Sequence, residues 1–585
     1  MIEPSPSPLP RYAPFLLAAF AFGALAYACR GGLPGVPVAD DYLFLAHQSR
    51  AGFDWLGTHG SDWYWRPLSR QLYFGALGAR MVEQPLLAAG VHVALLAVTF
   101  AALWSFARRM LGAAGAVVLA SAPLLMEPAR VLVAWPSAVQ HLLPLAAVSC
   151  ALAAAASSRA ALAWLAMLAA VGGHENALLV LPVIALLLWR ARGAARWSDA
   201  IAPVAIAAAW GAGRLASYSH GAGVPPISGA PGPAELLAAA RYSLAAFASL
   251  EDLALLPAAA VLAGYTLVAA LVLLGPRTVA PGAARAALVA LAVWALATAP
   301  LAIFLPEWNS WRNTLGSLAL AYVLATLAAA GGMRVALLVV AVRAAALVAA
   351  PAPSPLPGSI APPTETHISY ARLTRMQRTL TGARAALAGT AARTEPLRVR
   401  HWNLPRLTEF GFAGPRALQV WSRDPAAAFA KYGEEDGMLD TAATVLAFDP
   451  DRAPFAVALT PAAQCRLFAA TRAVAEGAAA GDSALALVLE AQSPPATRLT
   501  SVVLLNRVAL NLQLGRITRA DSLHALSRET AWVEQWLRDE VRVALALRDT
   551  ARVKAALAEA VVRLPDDEGA RRAARAFGVP VAERR

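Results

Sequence analysis

Apolar residues form nearly continuous blocks over residues 12–350, whereas residues 352–585 mix polar and apolar positions as a soluble domain does. About 20 consecutive apolar residues cross a bilayer comfortably. The blocks predict about eleven membrane-spanning helices, near 12–29, 86–106, 111–126, 136–156, 160–171, 176–190, 199–213, 253–274, 286–305, 315–330 and 335–350. The predicted fold class is therefore mainly α: a polytopic transmembrane helical bundle, followed by a water-exposed C-terminal region.

The pair of segments at 160–190 leaves two topologies open. Gly172-Gly173 separates its apolar halves. The two glycines could lie between two spans, or they could mark a kink in one long helix. The second alternative would change the orientation of every later span.

The placement of arginine predicts the orientation. The net charge is +13, and lysine occurs only as Lys431 and Lys554. In the apolar part the arginines cluster at segment ends, as at 108–109 and 190–196. This is the pattern of cytoplasmic loops, and it argues against a nucleic-acid partner. With a cytoplasmic N-terminus, an odd number of spans places the C-terminal region outside the cytoplasm.

Composition suggests where the protein is located and argues against a disulfide framework or a cysteine metal site. The bias towards alanine and arginine suggests a GC-rich bacterial genome, so we expect a multi-pass protein of the bacterial inner membrane. Arg11 and Ala26-Tyr27-Ala28-Cys29 resemble a signal peptide, but the later spans favour an uncleaved first helix. Cys29, Cys150 and Cys465 have no disulfide or metal spacing.

The C-terminal region divides by composition into three predicted parts. These are a Pro-rich linker at 351–363, a small extracytoplasmic α+β module at 364–455 and a helical extracytoplasmic region at 456–585, after the transmembrane domain at 1–350. The patterns predict a helix at Thr366–Leu387, strands at Leu397–Trp402, Ala417–Trp421 and Thr444–Phe448, and amphipathic helices at Ala234–Leu250, Leu505–Leu526 and Ala531–Leu547. Asn511–Arg516 is similar to a turn between repeat helices, without a sustained 34-residue period.

Polar residues collect on the predicted outer face. Asp40-Asp41 follow the first span, and a carboxylate at the lipid boundary can act as a general base. Arginine can hold a lipid-linked phosphate through charge-assisted hydrogen bonds. The candidate catalytic residues are Asp40 and Asp41, and the candidate substrate-binding residues are Arg66, Arg70, Trp135, His141, His174, Glu175 and Arg312.

Simpler interpretations of the same residues stay open. Asp40-Asp41 could cap a short helix, and Arg66 and Arg70 could anchor lipid headgroups. The tryptophans could form an interface belt, and His141 and His174 could be hydrogen-bonded between helices. No Asp-x-Asp pattern appears in the first loop, so we expect neither a metal nor another cofactor.

The order of these motifs resembles the GT-C superfamily of polyprenyl-phosphate-dependent membrane glycosyltransferases. The resemblance covers roughly residues 10–350 and is carried by Asp40-Asp41-Tyr42, Arg66–Tyr73, His92 and a segment containing Glu175. It is similar to a branch near the protein O-mannosyltransferases and the tetratricopeptide-containing membrane transferases. The resemblance implies that Asp40 or Asp41 is the base and that Arg66 and Arg312 bind the carrier phosphate.

The chain departs from this pattern at two positions. Relatives often carry Lys-Glu where this chain has His174-Glu175, and Arg-Tyr where it has Trp311-Arg312-Asn313. The roles of Glu175 and Arg312 are therefore the least fixed by the resemblance.

The expected function is a glycosyltransferase. It would move a sugar from a polyprenyl-phosphate donor to a protein or envelope glycan on the outer face. The alternatives are a transporter or flippase of lipid-linked saccharide and a non-catalytic envelope assembly protein. A transporter should show internal repeats and charged or broken segments at the midplane, whereas here the polar residues concentrate on one predicted face.

Overall fold

The structure is a computed structural model that describes most of the chain. The described residues are 11–58, 64–194, 196–220, 230–251, 253, 255–274, 282–353, 368–388, 396–402, 404, 408–431, 444–448, 456–458, 482, 485–486, 497–528, 531, 533–564 and 567–581. Helix accounts for 77% of the structure and strand for 3%, which confirms the mainly α class. The predicted Pro-rich linker falls mostly outside the described residues.

Two compact units divide the chain. Unit 1 comprises Met1–Pro37 and Leu43–Ala352, and unit 2 comprises Val38–Tyr42 and Pro353–Arg585. The short segment Val38–Tyr42 thus groups with the C-terminal part of the chain, although its sequence lies within the apolar part.

All regular secondary structure in the described residues of unit 1 is helical. Its α-helices are α1 (Ala13–Ala28), α2 (Asp40–Ala51, which begins in unit 2), α3 (Tyr73–Leu77), α4 (Arg80–Glu83), α5 (Leu86–Met110), α6 (Gly112–Ser121), α7 (Pro128–Ala134), α8 (Val139–Ala156), α9 (Ala160–Gly173), α10 (Leu181–Arg192), α11 (Trp197–Tyr218), α12 (Pro233–Phe247), α13 (Leu255–Leu274), α14 (Ala283–Thr298) and α15 (Thr314–Ala349). A π-helix covers Pro67–Leu72, and 3-10 helices cover Pro136–Ala138, Glu175–Val180, Ala299–Glu307 and Ser310–Asn313.

Six helical segments in the described chain are long and apolar enough to cross a membrane. They are Leu86–Met110, Pro136–Ala156, Trp197–Tyr218, Leu255–Leu274, Ala283–Leu305 and Ser310–Ala349. The apolar helices α1, α6 and α9 are shorter. These helices agree with a membrane protein, and the higher number of spans stays a prediction.

Two breaks interrupt the apolar helices of unit 1. Between α9 and α10 the backbone of His174 is extended, with φ −162° and ψ 133°. Within α15, Gly332 has φ +79°, a conformation open to glycine at little cost. An unbroken helix of 36 residues would measure about 54 Å, well above the roughly 30 Å of a hydrocarbon core. The break at Gly332 lies between the predicted segments 315–330 and 335–350.

Helices α11 and α12 occupy the region around the end of the seventh predicted span. Helix α11 continues to Tyr218, past the predicted end of the seventh span at residue 213. The apolar residues 215–216 continue the helical pattern past Arg214, which explains the difference. The predicted amphipathic helix is present as α12, and it buries Ala239, Ser243 and Phe247 on one face.

Unit 2 contains a four-stranded sheet in its described part. The strands β1 (Arg398–Trp402), β2 (Ala428–Lys431), β3 (Thr444–Phe448) and β4 (Ala456–Ala458) have the order β2-β1-β3-β4. Strand β1 is parallel to both neighbours, and β4 is antiparallel to β3, with Leu446 opposite Ala458. The sheet thus includes residues 456–458, just beyond the predicted end of the α+β module.

Helices accompany this sheet. Helix α16 (Tyr370–Ala388) buries Leu373, Met376, Leu380 and Leu387 at helical spacing. The predicted strand at Ala417–Trp421 is wrong, because the segment forms helix α17 (Arg416–Ser422). A short apolar run does not by itself distinguish a strand from a helix. Here only Ala417 and Leu418 are buried, one after the other, which does not fit the alternation of a strand.

The C-terminal part of unit 2 is a series of helices. They are α18 (Thr497–Gln513), α19 (Ile517–Ser527), α20 (Val533–Ala546), α21 (Thr550–Arg563) and α22 (Glu568–Ala576). The single helix predicted at Leu505–Leu526 is wrong, because Gly515, with φ +69°, ends the turn between α18 and α19. The predicted repeat-like turn at Asn511–Arg516 lies at this point. Leu504, Val508, Leu523 and Val543 form a core between α18, α19 and α20.

A charged cluster joins α19, α20 and α21. Arg552 donates from Nε and Nη2 to Glu540, at 2.6 and 2.7 Å, and from Nη1 to Asp521 at 2.7 Å. His524 Nε2 lies 2.8 Å from Glu540 Oε2. Burial alone would raise the pKa of Glu540, but the hydrogen bonds and charge of Arg552 hold it below its usual value.

We predict that Arg552→Met loosens these helices. The change leaves the carboxylates of Glu540 and Asp521 without their guanidinium partner and should cost about 1.5–3 kcal/mol. Hydrogen–deuterium exchange of the full chain should show faster exchange in α19 and α20. Arg563→Ala is the control, because its pair with Glu559 is 45% and 42% exposed and should contribute under about 0.5 kcal/mol. Equal effects of both variants would contradict the prediction.

Candidate functional site

A π-helix places the first arginines of the candidate site. It begins at Pro67, which needs no backbone hydrogen bond at this position, and its wide turns are uncommon outside functional regions. Ser69 is buried, and its Oγ donates to Gly173 O at 2.7 Å. This bond fixes the π-helix to the end of α9, where the chain breaks before α10.

A buried arginine–glutamate pair lies at the centre of the site. Arg66 donates to Glu175 from Nε, at 2.9 Å, and from Nη2, at 2.6 Å. Its Nη1 donates to Gln140 Oε1 at 2.7 Å. Arg66 is 7% exposed, so the pair is shielded from water on most sides. Three of the five N–H donors of Arg66 are used in these bonds.

Arg70 shares the same amide oxygen. Its Nε donates to Gln140 Oε1 at 2.9 Å, and it is also buried. The Tyr64 ring lies 4.3 Å from the guanidinium carbon of Arg66 and 5.4 Å from that of Arg70. Gln140 Nε2 in turn donates to Ser137 O at 3.2 Å. One amide and one aromatic ring thus hold two like charges close together.

The electrostatics of Glu175 and His174 follow from burial and from Arg66. Burial alone would raise the pKa of Glu175, but the charge of Arg66 outweighs it and holds that pKa well below its usual range. Burial, followed by the charge of Arg66, lowers the pKa of His174 to about 3. His174 is therefore neutral at pH 7. Its Nδ1 accepts from the Asn176 N–H at 3.2 Å, so its 3.6 Å approach to Glu175 is not an ion pair.

Aromatic and imidazole rings lie next to the charged pair. The rings of His141 and His174 are 5.0 Å apart, and Trp311 lies 5.0 Å from both His141 and Trp135. Arg312 follows Trp311 directly, with its guanidinium carbon 5.5 Å from the indole centroid. The charged groups of Arg66, Arg70, Arg312 and Glu175 lie close enough to act on His174.

A second hydrogen-bond network holds the segment that carries Trp311 and Arg312. Asn313 Nδ2 donates to Thr298 Oγ1 at 3.0 Å and also to Ser243 Oγ. Trp294 Nε1 donates to the same Ser243 hydroxyl at 2.9 Å. The hydroxyl on α12 therefore joins α14 to the start of α15, and the position of Arg312 depends on it.

The structure thus brings together seven of the nine predicted site residues within unit 1. They are Arg66, Arg70, Trp135, His141, His174, Glu175 and Arg312. The other two, Asp40 and Asp41, group with unit 2.

The two aspartates differ in their surroundings. Asp41 is fully buried, and its Oδ2 accepts from the Val38 N–H at 2.7 Å, whereas Asp40 is half-buried at the first position of α2. Val38 lies three residues before Asp41, so this bond joins the start of α2 to the segment that precedes it. The preceding Ala39 has φ +53°, which costs a non-glycine residue roughly 1–2 kcal/mol.

Other residues of unit 2 hold this segment in place. The Ala39 N–H donates to Gly411 O at 2.7 Å, and Trp421 Nε1 donates to Tyr42 Oη at 2.9 Å. Burial raises the pKa of Tyr42 well above its ordinary value, so this phenol stays protonated. The strained backbone before the aspartates is therefore supported from both sides.

Sequence reasoning missed the central role of Gln140 and the part played by Tyr64. Gln140 lies on the first turn of α8, one residue before the predicted His141, and an isolated glutamine carries no chemical signature. The ring nitrogens of His92, one of the residues that carry the resemblance, lie 3.0 Å from Tyr73 Oη and 2.7 Å from Leu132 O. Asp62 and Trp63 of the first loop lie outside the described residues.

The described part of the chain contains no cluster of side chains suited to a metal ion. No group of three or more His, Cys, Asp or Glu side chains there could hold an ion. The guanidinium groups of Arg66 and Arg70, which share the Gln140 amide oxygen, suit an anion instead.

Comparison with known proteins does not place this chain in a family. No family model, no curated protein and no solved structure matches it. The function must therefore be inferred from the chemistry of the site.

We predict that Arg66→Lys destabilises unit 1 by about 1.5–3 kcal/mol, because an ammonium group cannot reproduce the two-pronged bond to Glu175. A carboxyl with a lowered pKa stabilises the fold above its unfolded pKa of about 4.3. The stability contributed by Glu175 is lost only as the pH falls through its lower folded pKa. The difference between the variant and the unaltered protein should therefore stay constant from pH 8 to pH 5.

Thermal unfolding of the detergent-purified protein at several pH values measures this difference. The control is Arg80→Lys, because Arg80 is exposed on α4 and its replacement should change stability little. A loss of the Arg66 effect already between pH 7 and pH 5 would show that Glu175 does not pair as described.

Proposed function

We propose that this protein is a membrane glycosyltransferase that uses a polyprenyl-phosphate sugar and passes the sugar to a protein or envelope-glycan acceptor. The observation that supports it best is the arginine cluster of unit 1, in which the buried Arg66 and Arg70 share the amide oxygen of Gln140. Guanidinium groups placed together in this way can bind an anionic ligand such as a phosphate monoester.

Arg66 has donors to offer such a phosphate. Glu175 and Gln140 take three of its N–H groups, and the other two have no hydrogen-bond partner among the described residues. Glu175 fixes the plane of the guanidinium group, and one N–H on each of Nη1 and Nη2 remains for a phosphate. Holding the arginine in one orientation in this way prepares it to bind phosphate. In this proposal Glu175 positions Arg66 and does not act as a base.

The aromatic and imidazole rings beside the arginine cluster have the chemistry that binds a sugar. The pairs Trp135–Trp311, Trp311–His141 and His141–His174 form a series of ring contacts, each with centroids 5.0 Å apart. Apolar faces of pyranose rings pack on indole. Since the Nδ1 of neutral His174 already accepts from the Asn176 N–H, its other ring nitrogen can donate to a hydroxyl group. Arg312 directly follows Trp311, so it would contact the phosphate next to the sugar.

The proposed reaction is a single displacement at the anomeric carbon. The acceptor oxygen bonds to that carbon while the bond to the carrier phosphate oxygen breaks. Asp40 or Asp41 takes the acceptor proton, and the arginines stabilise the charge that develops on the departing phosphate. No metal is required, because guanidinium groups supply the positive charge. The proposed setting is the extracytoplasmic face of a bacterial inner membrane.

We predict that either Asp40→Asn or Asp41→Asn lowers the transfer rate by about 10²–10⁴-fold, since an amide cannot take the proton. Both variants should insert and fold as the unaltered protein does. The measurement is sugar transfer by purified protein from a panel of polyprenyl-phosphate sugars, with acceptors identified by mass spectrometry of envelope glycans from cells with and without the protein.

Asp54→Asn is the matched control for the aspartates. Asp54 is 38% exposed and lies 3.0 Å from His220 Nδ1, in the loop after α2. The Asp54→Asn variant should transfer sugar at the same rate as the unaltered protein. Full activity in both the Asp40 and the Asp41 variant would refute the assignment of the base.

We predict that Arg312→Ala weakens donor binding by about 10–150-fold, corresponding to the loss of hydrogen bonds to a charged group worth roughly 1.5–3 kcal/mol. Arg312→Lys should recover part of the loss. Arg241→Ala is the control, because Arg241 is exposed on α12. Competition by unlabelled polyprenyl phosphate measures the affinity, and an unchanged affinity in Arg312→Ala would remove this residue from the phosphate site.

A further inference from the structure

A separate apolar cavity lies within unit 1. Its volume is about 390 Å³, within the roughly 300–1,000 Å³ of ordinary ligand pockets. Helices α10, α14 and α15 supply most of its wall, including Leu187, Val289 and Leu318, and α8 adds Leu152. None of the residues placed in the candidate glycosyltransferase site lines it.

Two arginines stand at one end of this cavity. Arg190 lies in the last turn of α10, and Arg285 lies in the first turn of α14. In the described part of the chain neither guanidinium has an ion-pair or hydrogen-bond partner, and no Asp or Glu is among the described lining residues. A Cβ on Gly282, the N-cap of α14, would lie 3.1 Å from Arg190 Nη2. The guanidinium of Arg190 is therefore next to the positive end of the α14 dipole.

The dimensions of the cavity match one leaflet. Its lining runs from Val180, the last residue of the 3-10 helix, along α10 to Arg190, which corresponds to about 15 Å of helix, or half of a hydrocarbon core of about 30 Å. Leu186 is 45% exposed and Val289 40% exposed, so the wall opens sideways on the surface of unit 1. A chain that lies in the bilayer can enter through this opening.

We propose that this cavity binds an anionic phospholipid from the leaflet on the Arg190 side. Its phosphate would contact Arg190 and Arg285, and one acyl chain would fill the apolar part. Basic pockets between membrane helices commonly hold anionic headgroups.

A polyprenyl-phosphate carrier fits this cavity less well. In the proposed function its phosphate binds at Arg66, and Glu175, which pairs with Arg66, lies five residues before Val180. The carrier phosphate would therefore lie at the opposite end of the cavity from Arg190. The choice of a phospholipid over the carrier therefore rests on the proposed function, whereas the cavity and its two arginines share no residue with the proposed glycosyltransferase site.

Native mass spectrometry of the delipidated full chain in neutral detergent tests this proposal. The added ligands are phosphatidylglycerol, phosphatidylcholine with the same acyl chains, undecaprenyl phosphate and glycerol 3-phosphate. We expect a one-lipid adduct with phosphatidylglycerol at a concentration at least about tenfold lower than with phosphatidylcholine. Glycerol 3-phosphate should give no adduct, because the apolar contacts are absent.

Three variants identify the site. Arg190→Ala with Arg285→Ala should raise the phosphatidylglycerol concentration needed by at least about tenfold. Ala290→Phe, which places a ring in the cavity, should weaken binding with both arginines intact. Arg109→Ala, an exposed arginine at the end of α5, should bind as the unaltered protein. Size-exclusion profiles and helical circular dichroism confirm that each variant is folded.

Several results would overturn the proposal. Equal binding of phosphatidylcholine would remove the role of the arginines, and equal losses in Arg109→Ala and the double variant would show general surface attraction. Unchanged binding in Ala290→Phe would place the lipid elsewhere. Displacement of phosphatidylglycerol by an equimolar amount of undecaprenyl phosphate, lost in the double variant, would identify the cavity as a carrier site instead.

Discussion

The buried pair of Arg66 and Glu175 constrains the structure of unit 1. Two charges that are largely shielded from water are tolerated only when their geometry is close and their remaining hydrogen-bonding groups are satisfied. Here the partners come from three distant parts of the sequence, because Gln140 on α8 supplies the third bond. The chain reaches this arrangement through departures from regular helix: a π-helix after Arg66, an extended His174 and a 3-10 helix that carries Glu175. The irregular backbone is thus concentrated where the charges are.

Sequence periodicity predicted the helices well where they are long and apolar, and α5, α8 and α13 lie close to the predicted segments. It was less successful in short runs, because Ala417–Trp421 has the composition of a strand and the structure of a helix. The candidate site was predicted from residue type, since a buried arginine in an apolar chain needs a reason. Its bonding was not predictable, because the pairing of Arg66 with Glu175 joins positions 109 residues apart. Gln140 was missed as a central residue for the same reason, since its role depends on what it contacts.

The structure also separates two kinds of arginine that look alike in the sequence. Arg66 and Arg70 are buried and held by an amide, a carboxylate and a tyrosine ring. Arg190 and Arg285 stand at helix ends beside an apolar cavity, with no described carboxylate on its wall. The first arrangement fixes the position of each guanidinium, as recognition of one small anion requires. The second leaves the guanidinium groups without a fixed carboxylate partner among the described residues, as suits a lipid headgroup.

The grouping of Val38–Tyr42 with the C-terminal residues has a consequence for the evolution and engineering of this chain. A compact unit made from two separate stretches of sequence cannot be exchanged, deleted or expressed as one contiguous fragment. Removing everything after Pro353 would take away Gly411 and Trp421, and with them the support of the strained Ala39 backbone and of the Tyr42 hydroxyl. A chimera with a foreign C-terminal region would have to carry its own matching segment before α2. The two stretches are therefore expected to change together as the sequence diverges.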